Sequence, residues 1–163
     1  MKKIKLLTSV LAISCFSIAN AATTSKTVEI TTLVQPVCSV VAQNMAFSVI
    51  QLTPGVSNSV TTSSNVLVEC TKDTAYTIKM DGGLNLATDG TTRRLKHTTA
   101  VEYLNYGLSL NGSNIIVNQP FTSGVGTGFG SASSPIELLG SINTNQTATA
   151  GNYNDIVTLF VEY

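Results

Sequence analysis

The sequence predicts a single all-β domain built from short strands, preceded by an export signal. Three observations lead there. Apolar residues recur at every second position rather than at helical spacing, which marks half-buried strands. The alternating runs stop at turn signals such as Asp81-Gly82-Gly83 and Asn111-Gly112. Past the N-terminal segment the chain is rich in Thr, Val, Asn, Ser and Gly and poor in Glu, Lys and Arg, a composition that suits strands and turns.

The runs come in order. Val28, Ile30, Thr32 and Val34 alternate with Glu29, Thr31 and Leu33, and Pro36 ends that run. Val66, Val68 and Cys70 alternate with Leu67 and Glu69. Tyr76, Ile78 and Met80 follow, then Leu104, Tyr106, Leu108 and Leu110, then Ile136 and Leu138. Tyr153, Asp155, Val157, Leu159, Val161 and Tyr163 take one face of the last run, with Ile156, Thr158, Phe160 and Glu162 on the other. Short strands separated by turns indicate a sandwich or barrel. Thr122 to Ser134, with Gly124, Gly126, Gly128 and Gly130, reads as one low-complexity loop.

Export is read from residues 1–21. Lys2, Lys3 and Lys5 precede an apolar stretch of 13 residues, Leu6 to Ile18, and Ala19-Asn20-Ala21 forms an A-x-A cleavage site. The stretch is too short to span a membrane. Cys15 allows a lipoprotein reading, which the good site just downstream makes superfluous. Cleavage leaves 142 residues, Ala22 to Tyr163, enough for one real core. Loss of three lysines leaves 6 Lys+Arg against 9 Asp+Glu, a net charge of −3. No basic footprint for nucleic acid remains.

Two cysteines also remain, Cys38 and Cys70. An even pair in an oxidising compartment is expected to form a disulfide, the alternative being two buried thiols.

Catalytic constellations are absent from the pattern. The one histidine, His97, lacks companions for a zinc site and is expected at a solvated strand or loop position. Gly124 to Gly130 lacks the Lys-Ser/Thr ending and the helix of a phosphate loop. Asn111-Gly112-Ser113 and Asn145-Gln146-Thr147 match the glycosylation sequon by chance. Asp81, Asp89 and Asp155 sit where turns and strand starts use Asp for backbone hydrogen bonds. No cofactor, no metal and no enzymatic activity are expected.

Residues 22–35 form a strand-like run ahead of the first cysteine, led by the polar Thr23-Thr24-Ser25-Lys26. The last run closes at Tyr163 with no further strand after it. The leading run is either an ordinary first strand paired within its own domain or an arm that pairs elsewhere. If the final strand lacks a neighbour, the domain has an open groove and an unpaired edge.

The chain resembles the spore coat protein U domain family, which includes subunits of archaic, Csu-type chaperone–usher pili. The residues that carry the resemblance are Cys38 followed by Phe47, then Val66-Leu67-Val68-Glu69-Cys70-Thr71 leading into Tyr76-Thr77-Ile78. Gly82-Gly83, Arg93-Arg94-Leu95 and Leu104-Asn105-Tyr106-Gly107-Leu108 continue it. The ending from Gly151-Asn152-Tyr153-Asn154-Asp155-Ile156-Val157 through Val161-Glu162-Tyr163 is its most specific part. The chain departs from the family in having no tryptophan and in the apolar Ile156 and Phe160.

The resemblance implies an incomplete immunoglobulin-like β-sandwich over residues 36–163, six strands of its own plus an N-terminal donor strand. Val28, Ile30, Thr32 and Val34 of the arm, residues 22–35, would enter a neighbour's groove. Tyr153, Val157, Leu159, Val161 and Tyr163 of the last strand would line that groove. The implied partners are a periplasmic pilus chaperone, an outer-membrane usher and neighbouring pilin subunits. The implied place is the surface of a Gram-negative bacterium, reached through the periplasm, where fibres serve adhesion and biofilm formation. A single-domain adhesin and a secreted coat protein that forms a surface layer are the competing expectations.

Overall fold

The computed structural model describes residues 22–131 and 133–163, so the export signal and Cys15 lie outside the described residues. The chain divides into two units, one running to Leu33 and the other from Val34 to Tyr163. In the first, residues 22–33 form no strand, and every side chain is exposed. Val28 is 81% and Ile30 91% exposed. The alternation of this run therefore joins no ladder in the isolated chain.

The second unit holds ten strands among the described residues. In chain order they are β1 (Cys38–Ala42), β2 (Ser59–Cys70), β3 (Ala75–Met80), β4 (Arg93–His97), β5 (Tyr103–Leu110), β6 (Ser113–Asn114), β7 (Pro120–Val125), β8 (Ile136–Asn143), β9 (Tyr153–Asn154) and β10 (Leu159–Glu162). They form two antiparallel sheets. The larger runs β1-β2-β8-β5-β4-β9, with β6 on β5, and the smaller runs β10-β3-β7. The sheets curl around one core as an immunoglobulin-like sandwich. Val66, Val68, Cys70, Leu108 and Leu138 come from the larger sheet, Ile78 and Met80 from the smaller, and Ile115 from a connection.

Local chemistry explains the joints. β5 and β6 form a hairpin with Leu110 opposite Ser113, so Asn111-Gly112 is its two-residue turn. Both turn residues have positive φ, 51° and 79°, which is what a primed turn demands and why Asn-Gly is there. The expected loop from Thr122 to Ser134 is corrected at its start, because Pro120–Val125 is β7. Gly124 lies under the Tyr76 ring, which occupies the space a Cβ would need. That glycine marks close packing within a ladder, not a flexible tether.

The last run, residues 153–162, is split between the sheets. β9 pairs with β4, His97 opposite Tyr153. β10 pairs with β3, Leu159 opposite Met80 and Val161 opposite Ile78. Between them residues 155–158 cross from one sheet to the other. β10 has β3 as its partner, and its other edge pairs with nothing among the described residues.

Candidate strand-acceptor cleft

Residues 44–52 follow β1 and leave the larger sheet. The backbone of Gln43 still donates to Asn65 O, at 3.0 Å, and Thr53 N donates to Thr144 O, at 3.0 Å. Between them no backbone–backbone hydrogen bond is formed among the described residues. Side chains of β2 hold the segment instead: Thr62 Oγ1 donates to Ala46 O at 2.9 Å and Ser64 Oγ to Gln43 O at 2.6 Å. Met45 and Phe47 lie directly over Gly140 of β8, in the space its missing Cβ leaves.

A cleft of about 810 Å3 opens beside this segment. Met45 to Leu52 form one wall, residues 148–153 the other, and Leu95, Leu104 and Ile142 line it from the core. The second wall is well braced. Glu102 accepts from Thr149 N at 2.5 Å and from Thr149 Oγ1 at 2.7 Å, and these bonds hold its carboxyl below the ordinary value. Tyr153 OH donates to Thr149 O at 2.7 Å. The cleft thus pairs an apolar floor with a wall, residues 44–52, that joins no backbone ladder among the described residues, the two features that adding a strand requires.

The last run leaves the cleft at Tyr153. Val157, Leu159 and Val161 pack against the core yet stay only half-buried, while Ile156, Thr158, Phe160 and Glu162 point outward. A core-facing strand with no fully buried residue is a strand whose covering layer is incomplete. Of the residues expected to line a groove, Tyr153 is in the cleft, Val157, Leu159 and Val161 face the core, and Tyr163 is 60% exposed. Val28, Ile30, Thr32 and Val34 are all exposed. Cys38 and Cys70 are bridged, and they sit opposite each other in the β1–β2 ladder.

His97 corrects an expectation. It is 7% exposed, not solvated. Nδ1 accepts from Thr99 N at 3.1 Å and Ala100 N at 2.9 Å, and Nε2 faces Ala150 O at 3.4 Å. Its ring stands edge-on to Tyr153 with centroids 4.9 Å apart, directly behind the second wall. Gly151 has no side chain because the ring fills that space. His97→Ala is expected to cost about 1–3 kcal/mol, from the two stranded amides and the lost packing. Urea unfolding of the oxidised chain from Ala22 measures it. His97→Asn, with an acceptor near the same place, recovers part of the loss.

A buried polar knot lies where the last run crosses between sheets. Arg93, 4% exposed, donates from Nε and Nη2 to Asp81 O at 3.0 and 2.8 Å. Its Nη1 donates to Ile115 O at 2.7 Å. Asp81 Oδ1 accepts from Gly83 N at 2.9 Å and Thr158 N at 2.8 Å. Burial pushes the Asp81 carboxyl up, but those amides and the Arg93 charge more than offset it, leaving it below the ordinary value. Asp155 accepts from Asn85 Nδ2 at 3.0 Å and Tyr106 OH at 2.8 Å. Burial and this carboxylate together push the Tyr106 hydroxyl well above its usual range. The turn role expected for Asp81 is present, but its reach to Thr158 was not readable. The wall at 45–52 was also missed; its signal was Met45 and Phe47, then Ile50 and Leu52 after a shift of phase.

Comparison with protein families matches residues 24–159 to the Spore Coat Protein U domain. The chain belongs to this family. Among solved structures, this Spore Coat Protein U chain is similar to one in the CsuC–CsuE complex, a chaperone–tip adhesion subunit pre-assembly complex from the archaic chaperone–usher Csu pili of Acinetobacter baumannii. The identity is 22% and the TM-score 0.52, over 80% of this chain and 40% of that one. A chaperone–tip adhesin complex of CFA/I fimbriae biogenesis is similar at 16% identity and a TM-score of 0.48, over 75% of this chain and 40% of that one. The Spore Coat Protein U chain spans about 40% of the length of both. Among curated proteins there is no match.

Proposed function

We propose that this chain is a structural subunit of a surface pilus, joined to its neighbours by donated strands. The observation that carries it is one chain with both parts of a joint: an exposed alternating arm, residues 22–35, and a domain with an open cleft and, at β10, an unpaired edge. Strand addition at an exposed edge, of which chaperone–pilin complementation is an established instance, needs those two parts. A head-to-tail joint of this kind does not close on itself, so it builds an open filament.

The partners follow from the same logic. A periplasmic chaperone covers the cleft before assembly, an outer-membrane usher exchanges it for the arm of the next subunit, and the fibre stands on the surface of a Gram-negative cell. Adhesion and biofilm formation are the roles such a fibre serves. The likeness to subunits held in chaperone complexes supports the fold that this scheme requires. The carboxylates favour structure over catalysis, since Asp81, Asp89, Glu102 and Asp155 are each engaged by amide or hydroxyl donors.

Deleting residues 22–35 tests the proposal. The expected result is a chain that accumulates only as a complex with a co-expressed chaperone and forms no fibres under the electron microscope. A deleted chain that folds and stays a stable monomer without the chaperone would overturn it.

A further inference from the structure

We infer that Asp81, held in place by Arg93, is the register pin of the acceptor edge. The inference rests on the donor-strand function proposed above and names the residues that position its site.

The last run crosses between sheets over residues 155–158 with short ladders on both sides. β9 contributes Lys96 opposite Asn154 and His97 opposite Tyr153, and β10 contributes the register from Leu159 to Glu162. Short ladders tolerate slippage, and a slip of one residue reverses every side chain. Val157, Leu159 and Val161 would turn outward, and Ile156, Thr158 and Phe160 would meet the incoming strand. Something outside the ladders has to hold the phase.

The Asp81 carboxylate does so through a backbone group. It takes the N–H of Thr158, the residue just before β10, and Asp81 N donates to Thr158 O at 3.0 Å. Asp81 follows Met80, the last residue of β3, which is the ladder partner of β10. Arg93 fixes this point from the other sheet. Its guanidinium is buried, belongs to β4, and grips Asp81 O with two nitrogens. No carboxylate oxygen is close enough to form an ion pair with it among the described residues. Its charge is spent on carbonyls at the end of β3 and on Ile115 O, which ties the two sheets at the crossing. Arg93 acts through Asp81, and Asp81 acts on the strand that meets the donor.

The test uses the chain from Ala22 carrying Ile30→Asp, so that its own arm does not compete, held as its complex with a co-expressed chaperone, and a fluorescent peptide with the sequence of residues 22–35 that exchanges into it. Asp81→Ala is expected to weaken peptide binding by roughly tenfold or more, the size of a lost hydrogen bond to a charged acceptor. Asp81→Asn keeps an acceptor for Thr158 and stays within about twofold of the parent. Amide exchange rises at Val157 to Val161 in Asp81→Ala while β2 and β8 keep their protection. Arg93→Lys, which keeps the charge and loses the fork, shifts both readouts the same way and serves if Asp81→Ala does not fold. Unchanged peptide binding, or exchange raised evenly through the domain, overturns the register pin. A parent that binds no peptide overturns the donor-strand function; exchange at Val157 to Val161 then still decides the pin alone.

Discussion

Replacing Ile30 by aspartate is expected to abolish fibre growth while leaving the chaperone complex intact. In the free chain Ile30 is 91% exposed and joins no ladder, so the substitution removes no folding contact. Docked in a neighbour, the arm would bury Val28, Ile30 and Val34, worth about 1.5–3 kcal/mol each. Ladder hydrogen bonds add about 0.5–1.5 kcal/mol apiece. The whole joint is then roughly 10 kcal/mol before ordering costs. A carboxylate at its centre removes one aliphatic contribution and adds several kcal/mol of desolvation. At about 1.4 kcal/mol per tenfold, such a loss lowers affinity by several orders of magnitude. Negative-stain microscopy reads the fibres and co-purification with the chaperone the complex; Ile30→Val serves as the control. Fibres of normal length from the aspartate variant would show that the arm is not the donor.

The second large effect is on stability. Opening the Cys38–Cys70 bridge, by Cys38→Ala with Cys70→Ala or by reductant, is expected to cost about 3–4 kcal/mol by the chain-entropy estimate. The bridge closes a sequence separation of 32 and places Cys70, 1% exposed, inside the core. A domain of this size is stable by about 5–15 kcal/mol, so the loss is a large share. It falls first on β1, an edge strand whose ladder partner is β2, and on the wall at 44–52 that β1 leads into. Urea midpoints with and without reductant measure it. Coincident midpoints would mean that the bridge contributes nothing.

What the sequence revealed and what it hid have a common physical cause. Alternation exposed β3, β5, β8 and both faces of residues 153–161, because apolar residues recur at their inward positions, even where Leu139, Ile156 and Phe160 make the outer face apolar too. β4 was invisible for the opposite reason. Its buried positions are Arg93 and His97, polar groups whose hydrogen bonds are all supplied by the fold. A strand satisfied that way carries no hydropathy signal. β7 was hidden by Pro120 and Gly124, which read as a loop until the Tyr76 ring explains the glycine. The alternation of Val28 to Val34 showed that one face seeks burial, but a two-residue period does not say in which molecule. The family resemblance favoured an arm, and the exposure of that run in the isolated chain fits it.

The crossing strand has a mechanical meaning. In a fibre joined through the last run, tension reaches each subunit along a strand sewn into both sheets. Extracting it demands that the Lys96–Asn154 and Met80–Leu159 ladders shear together, with the Thr158–Asp81 bond between them. Load shared in parallel resists far longer than a single seam unzipped bond by bond, so such a filament would stretch by parting at its joints before its subunits came undone.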